Sequence, residues 1–155
     1  MLLEGICYGA LLGTVANLMA TSFPMERVVA LSATTGSGDT MREMHGEIRN
    51  MGLAIGAGIF EELIFRGVLC AGLFALLRHA VGTDTITAGL VSVLLSAYLF
   101  SDYHHWGLTG EPYDARVFAF RFHAGILLGG VFLYRGLGIA AFAHGFYDVL
   151  VMVGR

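Results

Sequence analysis

Apolar residues run along the chain in blocks long enough to be helices, separated by short polar stretches. A helix that crosses a hydrocarbon layer needs about 20 mostly apolar residues. Five stretches meet or approach that length: residues 2–20 (LLEGICYGALLGTVANLMA), 50–79, 84–104, 115–134 and 137–153. The first lacks a basic leading region and a good cleavage site, so it reads as a span rather than a signal peptide. Residues 21–49, containing SATTGSGDT and MREMHGEIRN, are the only long polar segment and predict a loop or an interfacial segment. Gly110, Pro112 and Asp114 mark the connection before the fourth stretch, and YRGLG a tight one before the fifth. The pattern predicts an all-α, polytopic transmembrane helix bundle of about five spans. It forms one integral membrane domain over 1–155: a first span at 1–20, the polar segment at 21–49, and a four-helix core at 50–153.

Composition agrees. Of the 155 residues 56% are hydrophobic and 14% charged, with mean hydropathy +0.72, whereas soluble chains carry about 25% charged residues. A net charge of −3 argues against a nucleic-acid partner. Cys7 and Cys70 lie far apart in apolar stretches and read as small hydrophobes, not as a disulfide or metal pair. With alternating spans, Arg27, Arg42, Arg49, Arg116 and Arg155 share one side, and Arg78 and Arg135 the other. The arginine-richer side is expected to be cytoplasmic. Gly52/Gly56 and Gly125/Gly129 have the small-xxx-small spacing of closely packed helices, although with 22 glycines such pairs also arise by chance.

Against this background GIFEELIFRG, residues 58–67, stands out. Counted from residue 50, Glu61 and Glu62 fall about 11 residues into their span, roughly 16 Å along it at 1.5 Å per residue. That is near the middle of a ~30 Å hydrocarbon layer. A charge there costs about 2.5–3.5 kcal/mol even on the mildest scale. Glu62 and Arg66, four apart, share a helix face and can pair. Glu61 points about 100° away, so one arginine does not neutralise both. Either the motif is a structural ion pair with a spare glutamate, or it is a functional carboxylate facing a polar cavity; the second accounts for both acids.

Two further motifs lie on other spans. LFSDYHHW sets Phe100 and His104 four apart, with His105, Trp106 and Tyr103 suited to an interfacial belt and Asp102 to a solvated site or an end cap. GIAAFAHGFYDVL sets His144 and Asp148 four apart inside an apolar helix, as a polar pair between helices or as part of a site. Arg121 and His123 can snorkel or pair with a carboxylate. Ionisable residues within membranes normally face one another in the bundle interior, so three spans can bring their groups round one wet cavity. A glutamate beside a histidine can take a proton from water and aim the nucleophile at a carbonyl, while a second histidine donates to the oxyanion. No serine or cysteine sits in a convincing nucleophile context. The same residues suit Zn²⁺, with Glu61, His104 and His144 as ligands, although no HExxH is present.

Three ordered motifs, Glu61-Glu62-xxx-Arg66, Phe100-xxx-His104 and His144-xxx-Asp148, resemble EExxxR, FxxxH and HxxxN/D of the CAAX-protease and bacteriocin-processing (CPBP, or Abi) family of intramembrane proteases. The resemblance spans about residues 50–150. It implies an intramembrane endopeptidase acting on a peptide or protein substrate, in some members a prenylated one, in a bacterial or archaeal cytoplasmic membrane. Some members are linked to bacteriocin processing or self-immunity. Carried over, Glu61 and His104 activate water, His144 and Asp148 support the oxyanion, and Glu62 and Arg66 complete the first motif. Members are often called metalloproteases; the metal-independent glutamate mechanism is the favoured reading, with no cofactor required. Asp148 stands where asparagine is common, and an ionised aspartate cannot donate to an oxyanion, so its expected role is to orient His144. The competing expectations are a non-catalytic bis-histidine haem protein using His104 and His144, a proton-coupled carrier, and an immunity protein that binds without cleaving.

Overall fold

The computed structural model describes residues 2–22, 40–107 and 110–153. Every regular element among them is helical: α1 (Leu2–Ser22), α2 (Thr40–Glu62), a π-helical segment (Leu63–Cys70), α3 (Ala71–Ala75), a second π-helical segment (Leu76–Val81), α4 (Thr85–Tyr103), α5 (Ala115–Arg135) and α6 (Leu137–Val153). The backbone stays right-handed through Glu62, Cys70, Ala71, Ala75 and Leu76, so Thr40–Val81 is one unbroken rod. Within it the Ala71 N–H reaches back to the carbonyl of Arg66, the widened i→i+5 turn of a π-helix. The rod ends at Gly82, whose φ of 81° is open to glycine at little cost.

Side chains define the helix starts. Asp84 Oδ1 accepts the N–H groups of Ile86 (3.0 Å) and Thr87 (2.9 Å) at the head of α4. Asp114 Oδ1 does the same for Arg116 (2.8 Å) and Val117 (3.3 Å) at the head of α5. Gly136, with φ 88°, makes the sharp turn expected of YRGLG between α5 and α6.

Neighbouring helices meet through small residues. A Cβ on Gly125 of α5 would stand 2.9 Å from the Ala97 Cβ of α4, and one on Gly129 would stand 3.0 Å from Val93. The Gly125/Gly129 pair therefore is a packing face, whereas Gly52 and Gly56 face open space. Gly5 and Gly9 of α1 lie against Phe142 and Phe146 of α6, which makes these two helices parallel. Glu4 and Arg135 pair across the start of α1 and the end of α5. A small core of Leu12, Leu128 and Ala143 joins α1, α5 and α6, with Tyr8, Ala124 and Tyr147 packed round it. Cys7 and Cys70 are both free.

Two expectations become more definite. The segment at 21–49, expected as a loop or an interfacial segment, is helical from Thr40, where α2 begins; the part of it at 23–39 lies outside the described residues. Glu61 and Glu62 consequently come about midway along the Thr40–Val81 rod, not about 11 residues into a helix starting at residue 50. They stand level with His104, the C-terminal cap of α4, and with the middle of α6. The acids are thus level with one end of α4 and with the middle of α6. Among the described residues two helices, Thr85–Tyr103 and Ala115–Arg135, are long and apolar enough to cross a bilayer.

Overpacking a tight helix contact typically costs about 1–3 kcal/mol, and removing a glycine from an exposed helix interior gains about 0.5–1 kcal/mol. Gly125→Leu is therefore expected to lower the thermal unfolding midpoint in detergent, and Gly52→Ala to raise it or leave it unchanged. Equal effects at the two positions would contradict the packing described.

Candidate active site

Glu62 and Arg66 are fully buried, one helical turn apart at the junction of α2 and the first π segment. Arg66 Nη1 lies 2.7 Å from Glu62 Oε1. The approach is outside hydrogen-bond geometry, so the pairing is chiefly charge on charge. Arg66 Nη2 donates to the carbonyl of Gly125 at 3.3 Å, and its guanidinium carbon stands 4.5 Å above the Phe100 ring. Arg66 is thereby held from α4 and α5 at once, by a carbonyl and by a ring face that attracts cations.

The same Glu62 oxygen accepts the Nδ1–H of His144 from α6 at 2.9 Å. A carboxylate only accepts, so this contact puts the His144 proton on Nδ1 and turns Nε2 the other way. His104 obeys the same logic: its Nδ1–H donates to the carbonyl of Phe100 at 2.8 Å, which leaves Nε2 free. Both Nε2 atoms face Glu61. Glu61 Oε1 is 3.8 Å from Nε2 of His104, and Oε2 is 3.9 Å from Nε2 of His144. Asp148 Oδ1 lies 3.8 Å from Nε2 of His144, one turn further along α6. Glu61, His104 and Asp148 keep about a fifth to a quarter of their side-chain surface exposed, at 22%, 21% and 26%, so reagents can reach them.

All six residues singled out from the three motifs therefore meet in one place. The expected division of labour is altered in one respect. Glu62, not Asp148, makes the hydrogen bond that orients His144, while Asp148 stands on the Nε2 side with Glu61. The two glutamates differ because a helix turns about 100° per residue: one points into the packed interior, the other along its edge.

Phe100 of the second motif and several neighbouring residues support these six. Phe100, 3% exposed, packs edge-on to His104 (5.1 Å between centroids), His144 (5.8 Å) and Phe65 (5.4 Å). The Ser96 hydroxyl donates to the Phe65 carbonyl at 2.6 Å, tying α4 to the π segment. A Cβ on Gly58 would come within 2.9 Å of Asp148 Oδ2, so this glycine makes room for the α6 carboxylate. Its place just before the glutamates was the only hint in sequence. Of the remaining candidates, Arg121 pairs with Glu111 at 2.9 Å, and His123 Nδ1–H donates to the carbonyl of Ala119 at 2.6 Å. Asp102 accepts the Trp106 Nε1–H at 2.8 Å. Beside the site, an apolar groove of about 290 Å³ runs between α2 and α6, bounded by Ile55, Ile59, Phe142, Gly145 and Val149.

Zinc holds imidazole nitrogen and carboxylate oxygen at about 2.0–2.2 Å, which brings neighbouring ligand atoms to roughly 3.3–3.5 Å of one another. The Glu61 oxygens stand further than that from both Nε2 atoms, and no group of three His, Cys, Asp or Glu among the described residues is arranged to hold a metal ion. As placed, Glu61, His104 and His144 do not fit the ligand set considered for zinc.

The three motifs thus meet in one carboxylate and histidine cluster shared between three helices of the bundle. The family model for type II CAAX prenyl endopeptidase Rce1-like proteins matches residues 48–150, a stretch that contains every residue of the site. The chain belongs to this family of membrane-embedded CAAX-type endopeptidases. No curated protein and no solved structure matches it.

Removing one member of a buried ion pair typically costs about 3–5 kcal/mol, because the other charge is left uncompensated. Arg66→Gln is expected to destabilise by that amount in thermal or denaturant unfolding. Glu62→Gln/Arg66→Gln together are expected to cost less than Arg66→Gln alone; a double variant worse than the single one would show that the pair is not the main contact of either residue.

Proposed function

We propose that the chain is an intramembrane endopeptidase that hydrolyses a peptide bond with water activated by Glu61 and His104. The observation that carries this reading is the placement of Glu61 between the Nε2 atoms of two histidines whose Nδ1 atoms are both committed elsewhere. A water held by Glu61 and by the lone pair on Nε2 of His104 loses a proton to Glu61 as its oxygen attacks the scissile carbonyl. The resulting oxyanion accepts a hydrogen bond from Nε2–H of His144, which is then an imidazolium because Nδ1–H is already given to Glu62. Glu62 and Asp148 supply the countercharge, Glu61 being neutral while it holds the water proton. Glu61 then passes its proton to the departing amine, so the peptide bond ends as one acid and one amine.

Glu62 and Arg66 hold His144 and Phe100 without touching substrate. The apolar groove between α2 and α6, which borders Gly145 next to His144, suits the hydrophobic part of a peptide or protein substrate, lipid-bearing or not. Five spans with the arginine-rich side in the cytoplasm fit the antiparallel order of α2, α4, α5 and α6. A haem bridging His104 and His144 is not favoured, because Phe100 and Glu61 occupy the space between the two rings.

Loss of a general base typically lowers rate by about 10²–10⁴-fold. Wild type and Glu61→Gln, expressed at matched levels, are expected to differ in the protein termini found in the membrane proteome. Termini present with wild type should vanish with the variant, and cleavage should survive a strong zinc chelator. Identical termini from both folded proteins, in membranes of the native host, would sink the endopeptidase reading. Loss of cleavage on chelation, with recovery on adding zinc, would replace the glutamate mechanism by a metal-dependent one.

A further inference from the structure

His104 is the residue of the site with the weakest backbone support. It caps α4, and the last carbonyls of a helix have no partner within the helix and fray readily. Water activation, by contrast, needs its imidazole held to within about 0.5 Å. Three contacts compensate, and all converge on Glu111. The Glu111 backbone N–H donates to the His104 carbonyl at 3.0 Å, closing the open end of α4. The Glu111 carbonyl accepts the Nδ1–H of His105 at 3.1 Å. The Glu111 carboxylate pairs with Arg121 Nη2 of α5 at 2.9 Å. That guanidinium holds the carboxyl below the usual carboxylate range.

α5 is a rigid anchor for this tie. It is packed on α4 through Gly125 and Ala97, and Ser101 Oγ–H donates to the Phe118 carbonyl at 2.7 Å. His105 stacks on Phe118 with centroids 6.1 Å apart, so the residue after His104 rests on the same helix. We propose that Glu111 and Arg121 are positioning residues for His104, their ion pair fastening the α4–α5 crossing so that the helix end carrying the histidine does not move. The proposal rests on the endopeptidase reading above. The Glu111 carboxylate is 57% exposed, and exposed ion pairs contribute little to global stability. The effect therefore falls on the geometry of His104 and not on the fold.

The test uses the full chain in detergent or nanodiscs, with a peptide spanning a cleavage site found by the terminus comparison. Arg121→Gln, Glu111→Gln and the exchanged pair Arg121→Glu/Glu111→Arg are compared with wild type. Trp106, the single tryptophan, lies in this crossing, and its fluorescence anisotropy reports motion there without substrate. Misplacement of a catalytic group by an ångström costs about 10²-fold, so each single variant is expected to lose about ten- to a hundredfold in kcat. KM is expected to stay within about twofold, Trp106 anisotropy to fall, and the unfolding midpoint to hold. The exchanged pair should recover part of both kcat and anisotropy. Wild-type kcat in the single variants would overturn the proposal while leaving the endopeptidase intact. A loss of kcat that tracks a lowered unfolding midpoint and is not recovered by the exchange would also overturn it, as a general structural effect. Absence of cleavage by wild type would instead remove the endopeptidase reading on which it rests.

Discussion

One carboxylate oxygen, Glu62 Oε1, is shared by Arg66 on its own helix and His144 on α6, and the rest of the site hangs from it. In a dry interior neither a carboxylate nor a guanidinium is tolerated alone. Burial of the pair thus obliges the neighbouring elements to complete it. The Gly125 carbonyl and the Phe100 face serve Arg66, and the His144 ring serves Glu62. Once His144 is drawn in by Nδ1, its Nε2 has one direction left, toward Glu61. The orientation of the exposed half of the site follows from the charge balance of the buried half.

That arrangement needs helices closer together than most side chains allow. Gly125 lets α5 approach α4 until its carbonyl reaches Arg66, and Gly58 leaves room on α2 for the Asp148 carboxylate of α6. The π segment at Leu63–Cys70 contributes in another way. Its widened turns alter which side chains share a face beyond Glu62, and Ser96 binds the Phe65 carbonyl there. Departures from the α-helix of this kind are frequent at functional sites.

The site lies at the end of α4, beside the crossing that leads into α5. Its chemistry combines a packed, charged base with an edge that reagents can approach, and the apolar groove between α2 and α6 opens next to that edge. A membrane-embedded endopeptidase has to reconcile two demands: water must enter, and a peptide chain must reach the same groups. A position at the end of one helix and the middle of another provides for both.

Helices at 84–104, 115–134 and 137–153 were legible within a residue or two, because apolar runs bounded by Asp84, Asp114 and Gly136 state both length and ends. The clustering of Glu61, Glu62, Arg66, His104, His144 and Asp148 was legible for a related reason: they are ionisable groups in apolar surroundings, and such groups must find one another. The start of α2 at Thr40 was not legible, since polar residues there satisfy a loop or a helix equally well. Nor could spacing along one helix show that Glu62 rather than Asp148 orients His144. Residue spacing determines which side chains share a face, but the distance between faces on different helices depends on how closely the backbones pack, and that was decided by glycines opposite Ala97 and Asp148 in the tertiary structure.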